Sequence, residues 1–281
     1  MRIRTTVAAV TGALALSALV VPAAQAADAP VSGKLPLSSA GTAAAAAELD
    51  VTFSNMKVNK GKPITVGTTA KVAVPVTYTL THAADLDTSA DNFANGPLIY
   101  RGSSVESATN VIISDDPGTC TAASSTVLNC SAVINIRPAD GDLFSSDAGT
   151  WRAGGVAVTA DEDSKWQGDL GTTKVLRAAK LTVNATPEPV KKGKTLTVTG
   201  KLSRANWDTN TYAGYSTQKV VLQFRKAGTT NYTNVKGITS TTTGALKTTV
   251  TASTDGYYRF TFAGTATTAP TTVAGDYVDV Q

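Results

Sequence analysis

From Leu49 onward the chain repeats every two residues. Val72, Val74, Val76, Tyr78 and Leu80 alternate with Lys71, Ala73, Pro75, Thr77, Thr79 and Thr81. Side chains two apart share one face of an extended strand, so this stretch has an apolar face and a largely polar one. Thr and Val are stiff at χ1 and suit pleated strands. Pro75 has no amide donor, which predicts a sheet edge. Further strands are predicted at 51–53, 64–67, 98–101, 110–113, 127–136 and 155–160. Leu128, Cys130, Ala132, Ile134 and Ile136 share a face, so Cys130 is expected to point inward. Asn95-Gly96-Pro97, Asp115-Asp116-Pro117-Gly118 and Asp140-Gly141-Asp142 read as turns between the runs.

The alternation is cleaner from residue 180 to the end. Leu196, Val198, Gly200 and Leu202 form one apolar row, Val220, Leu222 and Phe224 another, and Tyr258, Phe260 and Phe262 a third. With 181–185, 232–238, 246–252 and 277–280 this makes seven short strands. Turn signals separate them and no stretch has a helical period, which predicts a β-sandwich. A boundary between two such units is expected at 170–180, after Gly168 and Gly171. Charged residues are 16% of the chain, well under the roughly 25% of an average soluble domain, which excludes a charge-driven coiled coil. A hydrophobic share of 42% is enough for packed cores.

The N-terminus predicts export. Arg2 and Arg4 precede an apolar stretch over 7–21, then Pro22 and the small-x-small triplet Ala24-Gln25-Ala26. That is the layout of a secretory signal peptide cleaved after Ala26. The stretch is shorter than the ~20 apolar residues a membrane-spanning helix needs, and no later stretch is apolar enough, so no membrane span is expected after cleavage. Residues 27–48, rich in Ala, Ser and Pro, read as a flexible leader. The formal excess of +4 halves once Arg2 and Arg4 leave. What remains is uneven: residues 27–179 are net acidic, and 180–281 are net basic. Such asymmetry points either to electrostatic partners or to two solvated surfaces of different composition. Cys120 and Cys130 fit one structural disulfide in an oxidising compartment, and their spacing is wrong for a CxxC redox pair.

The catalytic inventory is thin. General acid–base or nucleophilic chemistry usually draws on His, Cys or paired carboxylates. His82 is the single histidine and falls at a strand end, where a solvated imidazole is expected. There is no Gly-x-Ser-x-Gly elbow and no His-Glu-x-x-His. Gly193-Lys194-Thr195 mimics the tail of a phosphate-binding loop, but Glu188 stands where the first glycine belongs and a strand follows. Calcium is the cofactor to weigh, because it wants six to eight oxygens, often from loop carboxylates. Asp85, Asp87 and Asp91 share one polar loop, and Asp161 and Asp163 another, with Glu162 and Asp169 nearby. Asp115, Asp116, Asp140 and Asp142 add turn carboxylates. Two readings stand: calcium ligands converging at a sandwich end, or acids serving turns.

Trp207, Tyr212 and Tyr215 lie in a polar stretch, 205–218, between two strands. Exposed rings there would stack on sugars or grip a protein partner; alternatively Trp207 folds back over the sandwich edge. Lys191, Lys192, Lys194, Lys201, Arg204 and Lys219 suit an anionic cell-wall polymer. Nucleic acid is not expected, because clustered arginines with interleaved aromatics are absent.

Several stretches carry a family resemblance: Thr199-Gly200-Lys201-Leu202, Asn206-Trp207-Asp208, Tyr212-Ala213-Gly214-Tyr215, 220–225, Asp255-Gly256-Tyr257-Tyr258-Arg259 and Tyr277-Val278-Asp279-Val280. They resemble an immunoglobulin-like domain of secreted actinobacterial proteins of the Streptomyces type, over most of the second half. Asp255-Gly256-Tyr257 is similar to the tyrosine corner of such sandwiches. The first half has a more diffuse likeness. Some members of that group are labelled calcium-binding. The expectation is an all-β chain: signal peptide 1–26, leader 27–48, an acidic Ig-like sandwich with one disulfide over 49–178, and a basic one over 179–281. The function expected is non-catalytic, a binding or structural role outside the cell toward an extracellular protein or cell-wall polymer. The alternative is a calcium-binding or calcium-stabilised protein.

Overall fold

The computed structural model describes residues 48–281. The expected signal peptide and the leader through residue 47 lie outside the described residues. Ten strands come first: β1 (Val51–Val58), β2 (Ile64–Val66), β3 (Val72–His82), β4 (Phe93–Arg101), β5 (Asn110–Ile113), β6 (Thr119–Ser124), β7 (Val127–Ile136), β8 (Gly149–Thr159), β9 (Ser164–Gln167) and β10 (Thr172–Arg177). The alternation decides their faces. In β3, Val74, Val76, Tyr78 and Leu80 are buried while Ala73, Pro75, Thr77 and Thr81 are exposed. One sheet has the order β1-β3-β7-β6, and the other β2-β10-β8-β4-β5 with β9 also on β8. All pairs are antiparallel except β2 with β10. Between the sheets lies a core built on Phe53, Tyr78, Leu80, Ile134, Ile136 and Trp151.

Two prolines correct the sequence reading. Asn95-Gly96-Pro97 is not a turn but the middle of β4, paired with β8 from Phe93↔Thr159 to Tyr100↔Arg152. Pro97 is tolerated because its carbonyl, and so its missing N–H, faces the β5 side, where the ladder begins only at Leu98. Asn95 points into the core and accepts the Tyr78 hydroxyl at 2.6 Å, a polar link between the two sheets. Burial pushes the Tyr78 phenol well above the usual tyrosine range. Pro75 does not sit on an edge strand, since β3 runs between β1 and β7. It lies just past the last β1 pair, Val58↔Val76, so the strand is an edge only locally.

Strands β4 and β8 are buried on both faces. On the inner face Gly155 lets Phe53 approach; a Cβ there would stand 2.5 Å from the ring. On the outer face Leu98, Tyr100, Val156 and Val158 form a small second core with Val105, carried by the connection that folds back from β4 to β5. Both faces being apolar explains why β4 shows no alternation.

The remaining strands are β11 (Ala179–Thr186), β12 (Thr195–Asn206), β13 (Thr211–Gly214), β14 (Lys219–Lys226), β15 (Thr233–Thr239), β16 (Ala245–Thr251), β17 (Gly256–Phe262), β18 (Thr271–Thr272) and β19 (Asp276–Val278). The long β12 carries β11 on one side, and β16 followed by β13 on the other. Facing it is the sheet β15-β14-β17, with β18 and β19 along the far side of β17. Leu196, Val198, Leu202, Val220, Leu222 and Phe260 are fully buried between them. The Tyr257 side chain does not make the expected corner; it lies on the outer face. Asp255 ties that bend instead, accepting the Val280 N–H at 2.9 Å.

Cys120 and Cys130 are directly opposed on β6 and β7 and form a disulfide. Cys130 points inward, as expected. The bridge holds β6, a sheet edge whose side chains are mostly exposed. Replacing both cysteines by alanine is expected to lower stability by about 2–3 kcal/mol, because the closed loop is short and the gain comes from restricting the unfolded chain. Urea unfolding with and without reductant checks this; an unchanged midpoint would contradict it.

Candidate functional site

A single residue, Ala178, separates β10 from β11. Its N–H donates to the Val66 carbonyl at 2.8 Å, and its carbonyl accepts the Ala205 N–H at 2.8 Å. The side chain before it, Arg177, is 7% exposed and donates from Nε to the Ala205 carbonyl. Burial, with the nearby Arg204 charge, pulls the Arg177 pKa below its usual value; arginine remains charged at any working pH. The Arg177 N–H reaches the Thr267 carbonyl at 3.0 Å, and its own carbonyl accepts the Ala269 N–H at 2.9 Å. Both sandwiches therefore meet on one continuous stretch of backbone.

The hairpin between β12 and β13 completes this joint. It carries Trp207 into the core of the first sandwich, where the ring is 2% exposed. The indole Nε1 donates to the Gly67 carbonyl at 2.9 Å. Ser145, from the first sandwich, donates through Oγ to Asn206 Oδ1 at 3.1 Å and accepts the Trp207 N–H at 3.2 Å. Asp208 Oδ1 accepts the Ser145 N–H at 3.1 Å, and the Ser145 hydroxyl together with that N–H holds the carboxyl below the usual range. Tyr212 packs partly buried against the same core with the Lys180 ammonium 3.8 Å from its ring centre. Tyr215 is 9% exposed and belongs to the second core, under the Arg204 guanidinium at 4.0 Å.

Of the two readings of this stretch, the exposed aromatic cluster is corrected; Trp207 does fold back, but into the neighbouring sandwich rather than over the edge of its own. Sequence patterning reads Trp207, Tyr212 and Tyr215 as rings on a polar loop. The polar residues Asn206 and Asp208 of this loop bond to Ser145 of the other sandwich. The rings go inward on either side of the joint, and Trp207 is not presented to a partner.

The candidate calcium ligands do not assemble. Asp85, Asp87 and Asp91 are exposed on the β3–β4 connection. Asp87 accepts the Ser89 N–H at 2.9 Å and the Asn92 amide at 2.6 Å, which lower its pKa and close the turn. Asp161 is exposed in the β8–β9 turn, and the Asp163 carbonyl accepts the Thr159 N–H there. Asp169 pairs with Arg152, and Asp115 with Arg137. Among the described residues, no group of three or more His, Cys, Asp or Glu side chains is placed to hold a metal ion. His82 is not a solvated imidazole. It is 8% exposed, with Nδ1 2.8 Å from the Ala83 carbonyl, an acceptor that fixes the proton on that nitrogen.

Two surface features escape a reading of turns and loops. The outer face of the first sheet holds a shallow trough of about 620 Å³, lined by Thr77, Thr79, Thr119, Thr121, Asn129 and Ser131 among others. The outer face of the β15-β14-β17 sheet carries a ladder of alternating rings and cations. Tyr277 meets Tyr257 at 5.1 Å between centres, and Arg225 lies 4.0 Å from the Tyr257 centre. Arg225 is also 5.3 Å from the Tyr232 centre, and Arg259 is 3.6 Å from it. The period-two signal that places Tyr258 and Phe260 inward also places Tyr257 and Arg259 outward. What the sequence does not show is which strands lie side by side.

No protein-family model matches the chain, and no curated protein does. Among solved structures, the chain is similar to dimeric latent PorU from Porphyromonas gingivalis at 11% identity and a TM-score of 0.26, over 82% of this chain and 20% of that one. It is similar to the adhesin InvE of Yersinia pseudotuberculosis at 12% identity and 0.26, over 88% and 60%. It is also similar to three N-terminal domains of the bacteriophage RB49 outer capsid protein Hoc at 11% identity and 0.30, over 82% and 70%. The chain thus spans one fifth of PorU and three fifths of InvE. Likenesses of this strength fix neither a family nor an activity.

Trp207→Ala is expected to cost about 3–5 kcal/mol, as for large aromatic deletions in cores. The loss should appear in the unfolding of the first sandwich, followed through the fluorescence of Trp151 and Trp166, although the substitution lies in the second. A loss confined to the second sandwich would contradict the shared core. The joint should also be acid-sensitive. A carboxyl whose folded pKa is lowered adds stability that is complete above its unfolded value of about 3.9 and is lost as pH falls through the lower folded value. Asp208→Asn is therefore expected to flatten the fall in melting temperature below about pH 4, and an unchanged slope would contradict this.

Proposed function

We propose that this chain is a non-catalytic extracellular protein whose two Ig-like sandwiches act as one stiff binding or structural unit, at the cell surface or in the medium. One observation carries the reading: Trp207 of the second sandwich is seated in the core of the first. A shared core with a single linking residue removes the swing expected between tandem domains. Stiffness suits a spacer or an adhesive stem, which must hold a surface at a fixed distance and angle.

Other features support it. The Cys120–Cys130 bridge suits an oxidising compartment. The N-terminal sequence has the layout of an export signal. Asp87, Asp142, Asp115 and Asp169 are taken up in a turn, backbone capping and ion pairs, and His82 is turned to a carbonyl. The resemblance of the second half to secreted actinobacterial Ig-like domains points the same way, with an extracellular protein or a cell-wall polymer as partner. Among the described residues, no assembled donor set supports the calcium alternative.

Sedimentation of labelled residues 27–281 with the envelope of the cells that produce it tests this proposal. Saturable binding is expected, unchanged by chelator, with the melting temperature shifted by less than about 1 °C at millimolar calcium, because an ion specific for the native state would raise it. Absence of binding to envelope and medium components, or a calcium-dependent rise in melting temperature, would count against it.

A further inference from the structure

We propose that the tyrosine–arginine ladder on the outer face of β14, β17 and β19 is a binding site for an acidic polysaccharide. The inference rests on the reading of the chain as an extracellular binding unit and names its ligand class. The rings and guanidinium groups stand in a row: Tyr277, Tyr257, Arg225, Tyr232, Arg259. They come from four segments of chain, so the row exists only in the folded sheet. Each guanidinium lies over a tyrosine ring at cation–π distance, which fixes where the positive charge sits on the sheet. Arg225 donates to the Thr229 carbonyl and Arg259 to Gln223 Oε1 at 2.9 Å. Five N–H donors per guanidinium leave others for a ligand. Among the described residues no carboxylate forms an ion pair with either arginine.

The two ends of the row differ, and that selects the ligand. Tyr277 is 42% exposed, one of few large apolar side chains left open. Asp279 stands two residues on from Tyr277, and Asp255 is held at the same end of the sheet by the Val280 N–H; partial desolvation and then these two negative charges raise the Tyr277 pKa. A polyanion without an apolar face would be attracted by the arginines and repelled at Tyr277. A polyuronide, whose every ring sets a carboxylate edge beside an uncharged C–H face, satisfies both ends. Its anionic group takes the bidentate guanidinium edge, and a pyranose C–H face covers the open tyrosine ring. Polyphosphate offers no face to the open ring, and nucleic acid is set aside by the extracellular reading on which the inference rests.

Affinity electrophoresis of residues 27–281 through gels containing polygalacturonate tests the assignment, with dextran and poly-glutamate gels as comparisons. Retardation is expected by polygalacturonate and not by dextran. The double variant Arg225→Gln/Arg259→Gln should weaken it roughly tenfold, about 1.4 kcal/mol, and Tyr277→Ala should weaken it to a lesser degree. Both variants should melt within about 2 °C of the parent, as surface changes do. Lys191→Gln/Lys192→Gln removes the same charge elsewhere and should leave retardation unchanged. Lack of retardation by polygalacturonate would overturn the proposal. So would equal retardation by poly-glutamate, which marks an acidic-protein site, or equal weakening by the lysine pair, which marks bulk charge. Each of these failures leaves the Trp207 joint and the envelope sedimentation as separate tests of the broader reading.

Discussion

Trp207 belongs by connectivity to the β12–β13 hairpin and by packing to the core of the sandwich before it. A buried tryptophan removes on the order of 200 Å² of largely apolar surface from water, worth several kcal/mol at ~25 cal/mol per Å². Its Nε1–H is satisfied by the Gly67 carbonyl, so the burial carries no unpaired donor. The first sandwich is incomplete without this ring, and the hairpin that carries it is fixed only when the first sandwich is there to receive it. Around it, Ser145, Asn206 and Asp208 form a closed set of hydrogen bonds across the joint. Arg177 adds a buried cation whose Nε–H meets a carbonyl from β12.

That interaction explains where the chemistry-bearing residues went. Several aspartates that look free in the sequence serve the fold. Asp87 closes a turn, Asp115 and Asp169 hold arginines, and Asp255 and Asp276 accept backbone N–H groups from other strands. Two of the outward sheet faces differ in character. One is a trough lined with hydroxyl and amide groups on the first sandwich, and the other a row of rings and cations on the second. A stiff joint keeps these faces at a constant separation, which a flexible linker would not.

Strand positions with one buried face were legible in the sequence, because period two is a direct consequence of the pleat. β3, β7, β12, β14 and β17 all show it. β4 does not, because a second small core covers its outer face, and an Asn-Gly-Pro triplet there mimics a turn. β13 and β18 are too short to carry a pattern. The role of Trp207 was illegible for a different reason. A polar loop with one large ring has the same composition whether it faces solvent or a neighbouring sandwich, and only tertiary placement separates the two. The ladder was half legible: alternation shows which residues face outward, but not that β19 runs beside β17 and brings Tyr277 next to Tyr257. His82 shows the converse, since a strand-end position suggested solvent and the sandwich covers it.

The central claim is that two sandwiches with separate sheets share one core and unfold as one body. Differential scanning calorimetry of the unmodified protein tests it most directly. A single transition is expected, with a calorimetric enthalpy equal to the van't Hoff enthalpy for the whole folded chain. Two resolved transitions, or a calorimetric enthalpy about twice the van't Hoff value, would mean the halves melt independently and would contradict the account.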